Sequence, residues 1–290
     1  MISIDPKDIV TSKLHSYLLG AVGPRPIALA STVDEIGRPN LSPFSFFNVF
    51  SANPPILIFS PARRVRNNTT KHTLENVLVT KEVVINVVNY NMVQQMSLSS
   101  TEYDEGVNEF EKSGLTALQS DIVKPFRVAE APVQFECIVT QVQVLGKDGG
   151  AGNLIFSEVV KIHIDETILN ETGSIDQHKI DLVARMGGNW YSRANQGMFE
   201  VPKPLSSLGI GVDQIPLHIR NSDVLSGNDL GMLGNVDKMP SEEEVAQFVA
   251  SQTKIRSLLT RGKRTEIELK AKSLLENKDV LSAWKVLLAK

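Results

Sequence analysis

The chain has 290 residues, with 33 acidic and 30 basic side chains and a formal net charge of −3 at pH 7. Its 42% of hydrophobic and 22% of charged residues are typical of a folded globular protein and exclude a largely disordered chain. The slight acidic excess argues against general binding to nucleic acid, which requires clustered positive charge.

Metal centres and membrane attachment have little support in the sequence. The single cysteine, Cys137, cannot form an internal disulfide, and the five histidines have no metal-ligand spacing. The N-terminal segment carries acids where a signal peptide has its basic region, and no run of about 18 apolar residues follows. We therefore expect a cytoplasmic protein without a metal site or a membrane partner.

The first part of the chain is rich in turns and predicts strands. Seven of the fourteen prolines lie between Pro24 and Pro61. Alternating or β-branched apolar positions predict strands, and helical apolar spacing predicts short helices. The predicted strands are residues 26–33, 41–50, 56–60 and 83–88, and the predicted short helices are residues 73–79, 91–99 and 180–185.

A long hairpin is predicted in the middle of the chain. Between residues 133 and 144, apolar side chains occupy odd positions as far as Val139 and even positions from Val142. One extra residue in the strand causes such a phase change, so we expect a β-bulge near Thr140 or Gln141. The glycine-rich residues 146–152, here called the glycine loop, then lead into a strand over 154–164. Two long antiparallel strands with a bulge favour a barrel.

Beyond about residue 201 the pattern becomes helical. Ser241 and Glu244 form a capping-box pattern, and one apolar stripe follows until Gly262 ends the helix. Further helices are expected to begin at residues 265–268 and to cover residues 280–288. We interpret residues 201–290 as a helical extension of unknown role.

Several common catalytic motifs are missing from the sequence. It contains no complete Gly-x-Gly-x-x-Gly fingerprint after a strand, no phosphate-binding loop ending in Gly-Lys-Ser/Thr, and no Gly-x-Ser-x-Gly elbow. These absences disfavour Rossmann dehydrogenases, P-loop enzymes and α/β-hydrolases.

A basic stretch follows the aromatic segment 42–51. Before the next acid it contains three arginines and one lysine: Arg63, Arg64, Arg66 and Lys71. Thr73 is the expected N-cap of the following helix, with Asn76 at N3, so free backbone N–H groups and the helix dipole would face the same point as Lys71. This combination predicts a phosphate site. The residues alone leave open a solvated charged loop beside an aromatic core.

Five segments together carry a family resemblance. They are residues 23–34 (GPRPIALASTVD), 40–51 (NLSPFSFFNVFS), 53–61 (NPPILIFSP), 71–76 (KHTLEN) and 185–191 (RMGGNWY). In order and spacing they resemble the flavin reductase-like, FMN-binding split-barrel family over about residues 20–200. The resemblance implies a mainly β, six-stranded Greek-key split barrel with peripheral helices over residues 1–200. It also implies a homodimer with one FMN per subunit near the dimer interface.

The same resemblance implies a set of cofactor-binding residues. Carried over by position, Ser45, Phe46, Phe47 and Asn48 would line the isoalloxazine ring and ribityl chain, Ser60, Arg63, Lys71 and Thr73 would hold the phosphate, and Trp190 and Tyr191 would lie beside the flavin. Ordinary packing is an equally good interpretation of the last two. No catalytic side chain is identified.

The implied reaction is hydride transfer from NAD(P)H to flavin N5, followed by electron delivery to a small-molecule or protein acceptor. One departure from the family pattern weakens the case for NAD(P)H as the hydride donor. Family reductases often have a histidine, thought to assist nicotinamide binding, where this chain has Gly152 and Asn153. The alternative is therefore a non-enzymatic FMN-binding electron carrier or flavin store. A pyridoxamine-phosphate oxidase is a third possibility, but its own motif is missing.

Overall fold

A computed structural model describes residues 1–201 and 208–289. The chain divides into two compact units, Met1–Phe199 and Glu200–Lys290. Within the described residues, no helix is both long enough and apolar enough to span a membrane.

The first unit is built mainly from β-strands. In chain order they are β1 (Ala28–Val33), β2 (Pro39–Phe44), β3 (Phe47–Ala52), β4 (Pro55–Phe59), β5 (Glu82–Val87), β6 (Ala117–Leu118), β7 (Arg127–Val128), β8 (Val133–Val144), β9 (Asn153–Ile164), β10 (Val183–Arg185) and β11 (Tyr191–Arg193). Seven of them form one antiparallel sheet in the order β2-β1-β5-β8-β9-β4-β3. The strands β6 and β7 pair with each other, as do β10 and β11.

The order of the sheet explains why it closes. Its two outer strands, β2 and β3, are separated in the chain by Ser45 and Phe46 alone, a link that we call the crossover. Each residue spans at most about 3.6 Å, so the two edges of the sheet must lie close together. The result is a barrel, as predicted. The expectation of one strand over 41–50 is wrong, because the chain passes from one edge of the sheet to the other at the crossover. The predicted strand is therefore two strands, β2 and β3, and the sheet has seven strands where six were expected.

The long β8–β9 hairpin confirms the predicted bulge. The pairing of the two strands shifts between Val139 and Gln141, which leaves Thr140 as the extra residue. A second shift lies between Glu136 and Cys137. The glycine loop connects the two strands at the end that approaches Ser60.

Four α-helices surround the barrel: α1 (Thr11–Ala21), α2 (His72–Thr80), α3 (Val93–Leu98) and α4 (Glu109–Ser113). Helix α2 packs Leu74 and Val77 into the barrel core, beside Phe59 and Ile155. A second apolar cluster contains Met92, Met96 and Phe110, from α3, α4 and the residues before them. Apolar burial therefore fixes α2, α3 and α4 to the sheet.

The helix predicted over 180–185 is wrong. Residues Val183–Arg185 form β10, which pairs with β11 across a short turn. An ion pair of 2.7 Å between Arg193 and Asp181 ties the two sides together, and Ile180 is buried. These long-range pairings outweigh the local helical spacing.

The second unit contains six helices within its described residues. They are α5 (Leu217–Arg220), α6 (Gly227–Gly234), α7 (Glu242–Ser251), α8 (Thr253–Arg261), α9 (Arg264–Glu276) and α10 (Val280–Leu288). The capping box at Ser241 is confirmed, and Gly262 ends α8 with a φ of 64°. The single continuous helix expected before Gly262 is wrong, because Gln252 is extended. The break falls in a polar run, where the Ser251 hydroxyl donates to the Phe248 carbonyl and so competes with the backbone hydrogen bonds of the helix.

Short 3₁₀ turns complete the secondary structure: Pro6–Asp8, Tyr90–Met92, Glu166–Ile168, Ala194–Gln196 and Val212–Gln214. The helix predicted over 91–99 thus begins as a 3₁₀ turn and continues as α3.

Candidate functional site

The crossover places the predicted aromatic segment at the closure of the barrel. Ser45 is half-buried and Phe46 is 40% exposed. The Phe46 carbonyl accepts a hydrogen bond of 2.9 Å from the Ser60 N–H, which joins two predicted parts of the site. In β3, Phe47 packs against the barrel core while Asn48 is exposed.

The glycine loop lies against Ser60. The Ser60 hydroxyl accepts a 3.1 Å hydrogen bond from the Asn153 N–H, and the Asn153 amide donates to the Pro61 carbonyl at 2.9 Å. A Cβ atom at Gly152 would lie 2.8 Å from Ser60 Oγ. A side chain at this position would therefore require the Ser60 hydroxyl to shift.

The arginines of the basic stretch are engaged by partners inside and outside their own loop. The Arg63 N–H donates to the Ala151 carbonyl at 2.8 Å, and its guanidinium donates to Asn68 Oδ1 at 2.6 Å. Arg64 pairs with Glu102 at 3.0 Å, and Arg66 contacts the same carboxylate at 3.4 Å. Sequence reasoning missed Glu102, which lies far along the chain and neutralises part of the positive charge.

Lys71 is different from its neighbours. It is half-buried, and burial lowers the pKa of its ammonium, with a further decrease from Arg64 and an opposing effect of Glu102. Throughout the described ranges, no hydrogen bond or ion pair engages this ammonium. Lys71 is also the residue from which α2 begins, next to the first-turn N–H groups of His72 and Thr73. A cation and free N–H groups therefore lie together.

The prediction that Thr73 is the N-cap of α2 is wrong. The N-cap is Lys71, so Thr73 occupies the second helical position, and Asn76 lies beyond N3. The Thr73 side chain is buried, and its hydroxyl accepts a 2.9 Å hydrogen bond from the Asn40 amide. The Asn76 amide donates to Thr32 at 3.0 Å. Partners under α2 thus use both side chains that were expected to cap it.

Arg25 is a site residue that sequence reasoning missed. It is only 5% exposed, and its guanidinium donates to the Leu19 carbonyl at 2.7 Å, the Met186 carbonyl at 2.9 Å and the Ser45 hydroxyl at 3.4 Å. It also donates to the Val22 carbonyl. Burial, and secondarily Arg185, lowers its pKa. No carboxylate pairs with it in the part of the chain that the structure describes.

Arg185 connects this cation to one of the two predicted aromatic residues. Its backbone pairs with Arg25, and its guanidinium lies over the Tyr191 ring at 4.6 Å. Tyr191 is therefore linked through Arg185 and Arg25 to Ser45. Trp190 is 77% exposed at the tip of the same turn.

Comparison with known proteins identifies the family. A model of the flavin reductase like domain matches residues 21–180. The chain belongs to the flavin reductase-like family. This membership confirms the predicted family and supports a flavin-related oxidoreductase function.

Relatives of this flavin reductase-like protein share its first unit. An uncharacterized protein of Aquifex aeolicus (strain VF5) is 41% identical over 182 residues, which are 62% of this chain and 90% of that protein. The crystal structure of nitrilotriacetate monooxygenase component B from Bacillus cereus is similar with a TM-score of 0.65 and 27% identity, over 69% of this chain and 98% of that one.

A protein with a split barrel domain from Shewanella frigidimarina NCIMB 400 is similar with a TM-score of 0.60 and 25% identity, over 70% of this chain and 100% of that one. The mainly β split-barrel fold with peripheral helices is thereby confirmed. The family model ends before the second unit begins.

One further cluster of titratable groups joins the β8–β9 hairpin to the segment between β6 and β7. Glu136 and His163 of the hairpin and Asp121 of that segment place ligand-type atoms within 4.8 Å of one another. Glu136 is buried, and its carboxylate accepts hydrogen bonds from three backbone N–H groups of residues 121–123 and from His163 at 2.6 Å. Burial alone would raise the pKa of Glu136, but these hydrogen bonds lower it to about 2. Asp121 pairs with Lys161 at 2.7 Å. The cluster therefore fastens a loop to the sheet.

Proposed function

We propose that this flavin reductase-like protein binds FMN and passes electrons from NAD(P)H through it to an acceptor. The observation that carries the proposal is the half-buried, unpartnered Lys71 ammonium at the start of α2. A partly buried ammonium that makes no hydrogen bond or ion pair is costly, and Glu102 offsets only part of that cost for Lys71. A bound anion at this point would remove that cost.

The residues near Lys71 suit a phosphate. Its ammonium supplies a positive charge, and the first-turn N–H groups of α2 supply donors with the favourable end of the helix dipole. Ser60 and Arg63 are both fixed by hydrogen bonds to the glycine loop. We therefore assign the phosphate to Lys71 and the start of α2, with Ser60 and Arg63 alongside.

The residues near Ser45 suit the ring of a flavin. The buried Arg25 cation has only carbonyl and hydroxyl acceptors, so it retains charge that can stabilise negative charge on a neighbouring ligand. When bound, FMN would supply the redox chemistry by accepting a hydride at N5. The role of the protein would be to hold the ring against the crossover and to stabilise the negative charge that accumulates on the ring during reduction. This role requires no acid or base from a side chain.

We also propose that the protein acts as a homodimer. Strands β3 and β9 expose large apolar side chains: Val49 and Phe50 are 64% exposed, and Ile162 is 51% exposed. Exposed apolar groups of this size favour association with another surface. A small molecule or a protein is the proposed electron acceptor.

An absorption spectrum and a reduction experiment test the proposal in two stages. Purified protein mixed with FMN should show the paired near-ultraviolet and blue bands with a shift relative to free FMN. Stopped-flow mixing with NADH or NADPH should then bleach the blue band. A protein that binds no FMN would contradict the whole proposal.

The second candidate function is an FMN-binding electron carrier that NAD(P)H does not reduce. It is favoured by Gly152 and Asn153, which stand where the family resemblance associates a histidine with nicotinamide binding. This candidate predicts bands that dithionite bleaches and that millimolar NADH and NADPH leave unchanged.

A further inference from the structure

Helix α1 is held to the first unit in an unusual way. None of its eleven described residues is fully buried. A helix this short is only marginally stable by itself in water, and packing of an apolar face normally fixes it. The position of α1 therefore depends on a small number of specific contacts.

Three contacts are spread along the length of α1. At its start, Thr11 is so close to Gly150 that a Cβ atom there would lie 3.2 Å from the threonine methyl group. One turn later, the His15 ring meets the Phe46 ring edge-on, with 6.2 Å between centroids. Near the end, a Cβ atom at Gly187 would lie 3.1 Å from the Gly20 Cα atom.

Arg25 secures the end of the helix. Its buried guanidinium donates to the carbonyls of Leu19 and Val22, which are left without helical partners at the C-terminus of α1. The helix thus runs from the glycine loop, past the crossover, to the turn before β11. These are the three segments around the proposed flavin ring.

His15 has unused hydrogen-bonding capacity. Its imidazole is half-buried beside the partly exposed Phe46 ring. Across residues 1–201 and 208–289, no hydrogen bond or ion pair involves this imidazole. Neutral imidazole offers one donor and one acceptor, and leaving both without partners in a half-buried position carries a cost.

We infer that His15 is a binding residue for the isoalloxazine ring, which α1 presents against the crossover. The inference rests on the proposed function and adds to it a contact at the ring end, far in sequence from Lys71. The imidazole is planar, so it can pack against a flat heteroaromatic ring while one nitrogen hydrogen-bonds to the ring edge.

Binding of two flavins to three proteins tests this inference. FMN and riboflavin share the ring but differ in the phosphate, so a ring contact must affect both equally. We expect His15→Ala to weaken both by the same factor, about three- to tenfold. The control is Ser16→Ala, an exposed position on the same helix, which should bind both flavins like the wild type.

A second pair of variants moves the whole helix. Gly187→Val adds atoms where α1 approaches most closely, so it should displace the helix and weaken both flavins, with faster amide hydrogen exchange in residues 11–21. Gly20→Ala is the control, because a Cβ atom at Gly20 meets nothing within 4 Å. Thermal melts establish that each variant is folded. If His15→Ala does not fold, the comparison of Gly187→Val with Gly20→Ala tests whether the position of α1 affects flavin binding.

The outcomes separate the two proposals. If the wild type binds neither flavin, the proposed function fails. If the wild type binds flavin but folded His15→Ala binds both with unchanged affinity, only the inference about His15 is overturned. A loss confined to FMN would also overturn it, because it would place His15 at the phosphate.

Discussion

The two units of the chain differ in the hydrogen-bond and ion-pair partners of their buried charged groups. In the helical unit, Glu268 is 5% exposed and is fully engaged, with Arg264 at 2.7 Å and the Ser222 hydroxyl at 2.8 Å. The buried Asp229 completes the capping box of α6 with Ser226. Each of these acids stabilises a helix of its own unit.

In the barrel unit, the buried Glu136 is satisfied in this way, whereas the half-buried Lys71 is not. Glu136 accepts four hydrogen bonds and Arg25 donates to three carbonyls and the Ser45 hydroxyl, whereas the Lys71 ammonium makes no hydrogen bond or ion pair within the described ranges. Removing a satisfied buried charge should cost stability, whereas removing an unsatisfied one should cost ligand affinity. The comparison therefore distinguishes structural residues from binding residues, and it can be tested.

The two tryptophans give the largest expected contrast. Trp284 is completely buried in the helical unit and donates to the Leu233 carbonyl at 3.0 Å. We expect Trp284→Ala to lower the free energy of unfolding by about 3–5 kcal/mol, measured by urea denaturation followed by circular dichroism. Trp190→Ala removes a side chain that is 77% exposed and should change it by less than about 0.5 kcal/mol. Equal losses would contradict the packing described for the second unit.

Removal of the satisfied acid should destabilise the barrel. Glu136→Gln loses the charge that three N–H groups and His163 bind, so we expect a loss of about 3 kcal/mol at neutral pH. Glu171→Gln, at an exposed position, is the control. Urea denaturation measures both.

The same variant gives a pH prediction. The folded-state pKa of Glu136 is about 2, below its ordinary value of 4.5. Its contribution to stability is therefore present above about pH 4.5 and disappears as the pH falls towards 2. As the pH is lowered through this range, the urea concentration at the denaturation midpoint should fall more steeply for the wild type than for Glu136→Gln. Parallel profiles would show that Glu136 is not the group responsible.

Removal of the unsatisfied cation should affect binding and not folding. We expect Lys71→Met to weaken FMN about ten- to hundredfold, because a charge-assisted hydrogen bond contributes about 1.5–3 kcal/mol. Riboflavin affinity and the stability of the flavin-free protein should not decrease. Lys7→Met, at an exposed position, is the control. Equal losses for FMN and riboflavin would place Lys71 away from the phosphate.

The smallest expected effect concerns a helix cap. The Ser241 hydroxyl accepts from the Glu244 N–H, so Ser241→Ala should lower the free energy of unfolding by about 1 kcal/mol. Ser241→Asp keeps an acceptor at the same position and should retain most of the stability. Thermal denaturation by circular dichroism distinguishes them, and an unchanged midpoint for the alanine variant would show that this cap contributes nothing.

The features that could be predicted from sequence are local ones. The bulge at Thr140 follows from a change in side-chain phase within one strand, and the Ser241 cap and Gly262 stop depend on a few neighbouring residues. The position of Lys71 beside α2 was predicted for the same reason, although the cap was assigned to the wrong residue.

The missing features depend on partners far apart in the chain. Arg25 meets Ser45 and the Met186 carbonyl only after the barrel has formed, and Glu102 reaches Arg64 across 38 residues. The break at the crossover follows from the order of the strands, which local alternation does not determine. In the candidate site, the sequence predicted which segments bind the ligand, and the structure adds which of their described charges lack a hydrogen bond or ion pair.

The crossover has a consequence for how the protein matures. Two residues join opposite edges of one sheet, and the β3–β4 hairpin, which holds Phe46 against Ser60, joins the sheet only when β4 pairs with the distant strand β9. Pairings between distant parts of a chain form slowly, because their entropy loss precedes any gain. The ability to bind a ligand should therefore arise late in refolding. Binding of a flavin added during refolding would then report the completed barrel and not its intermediates.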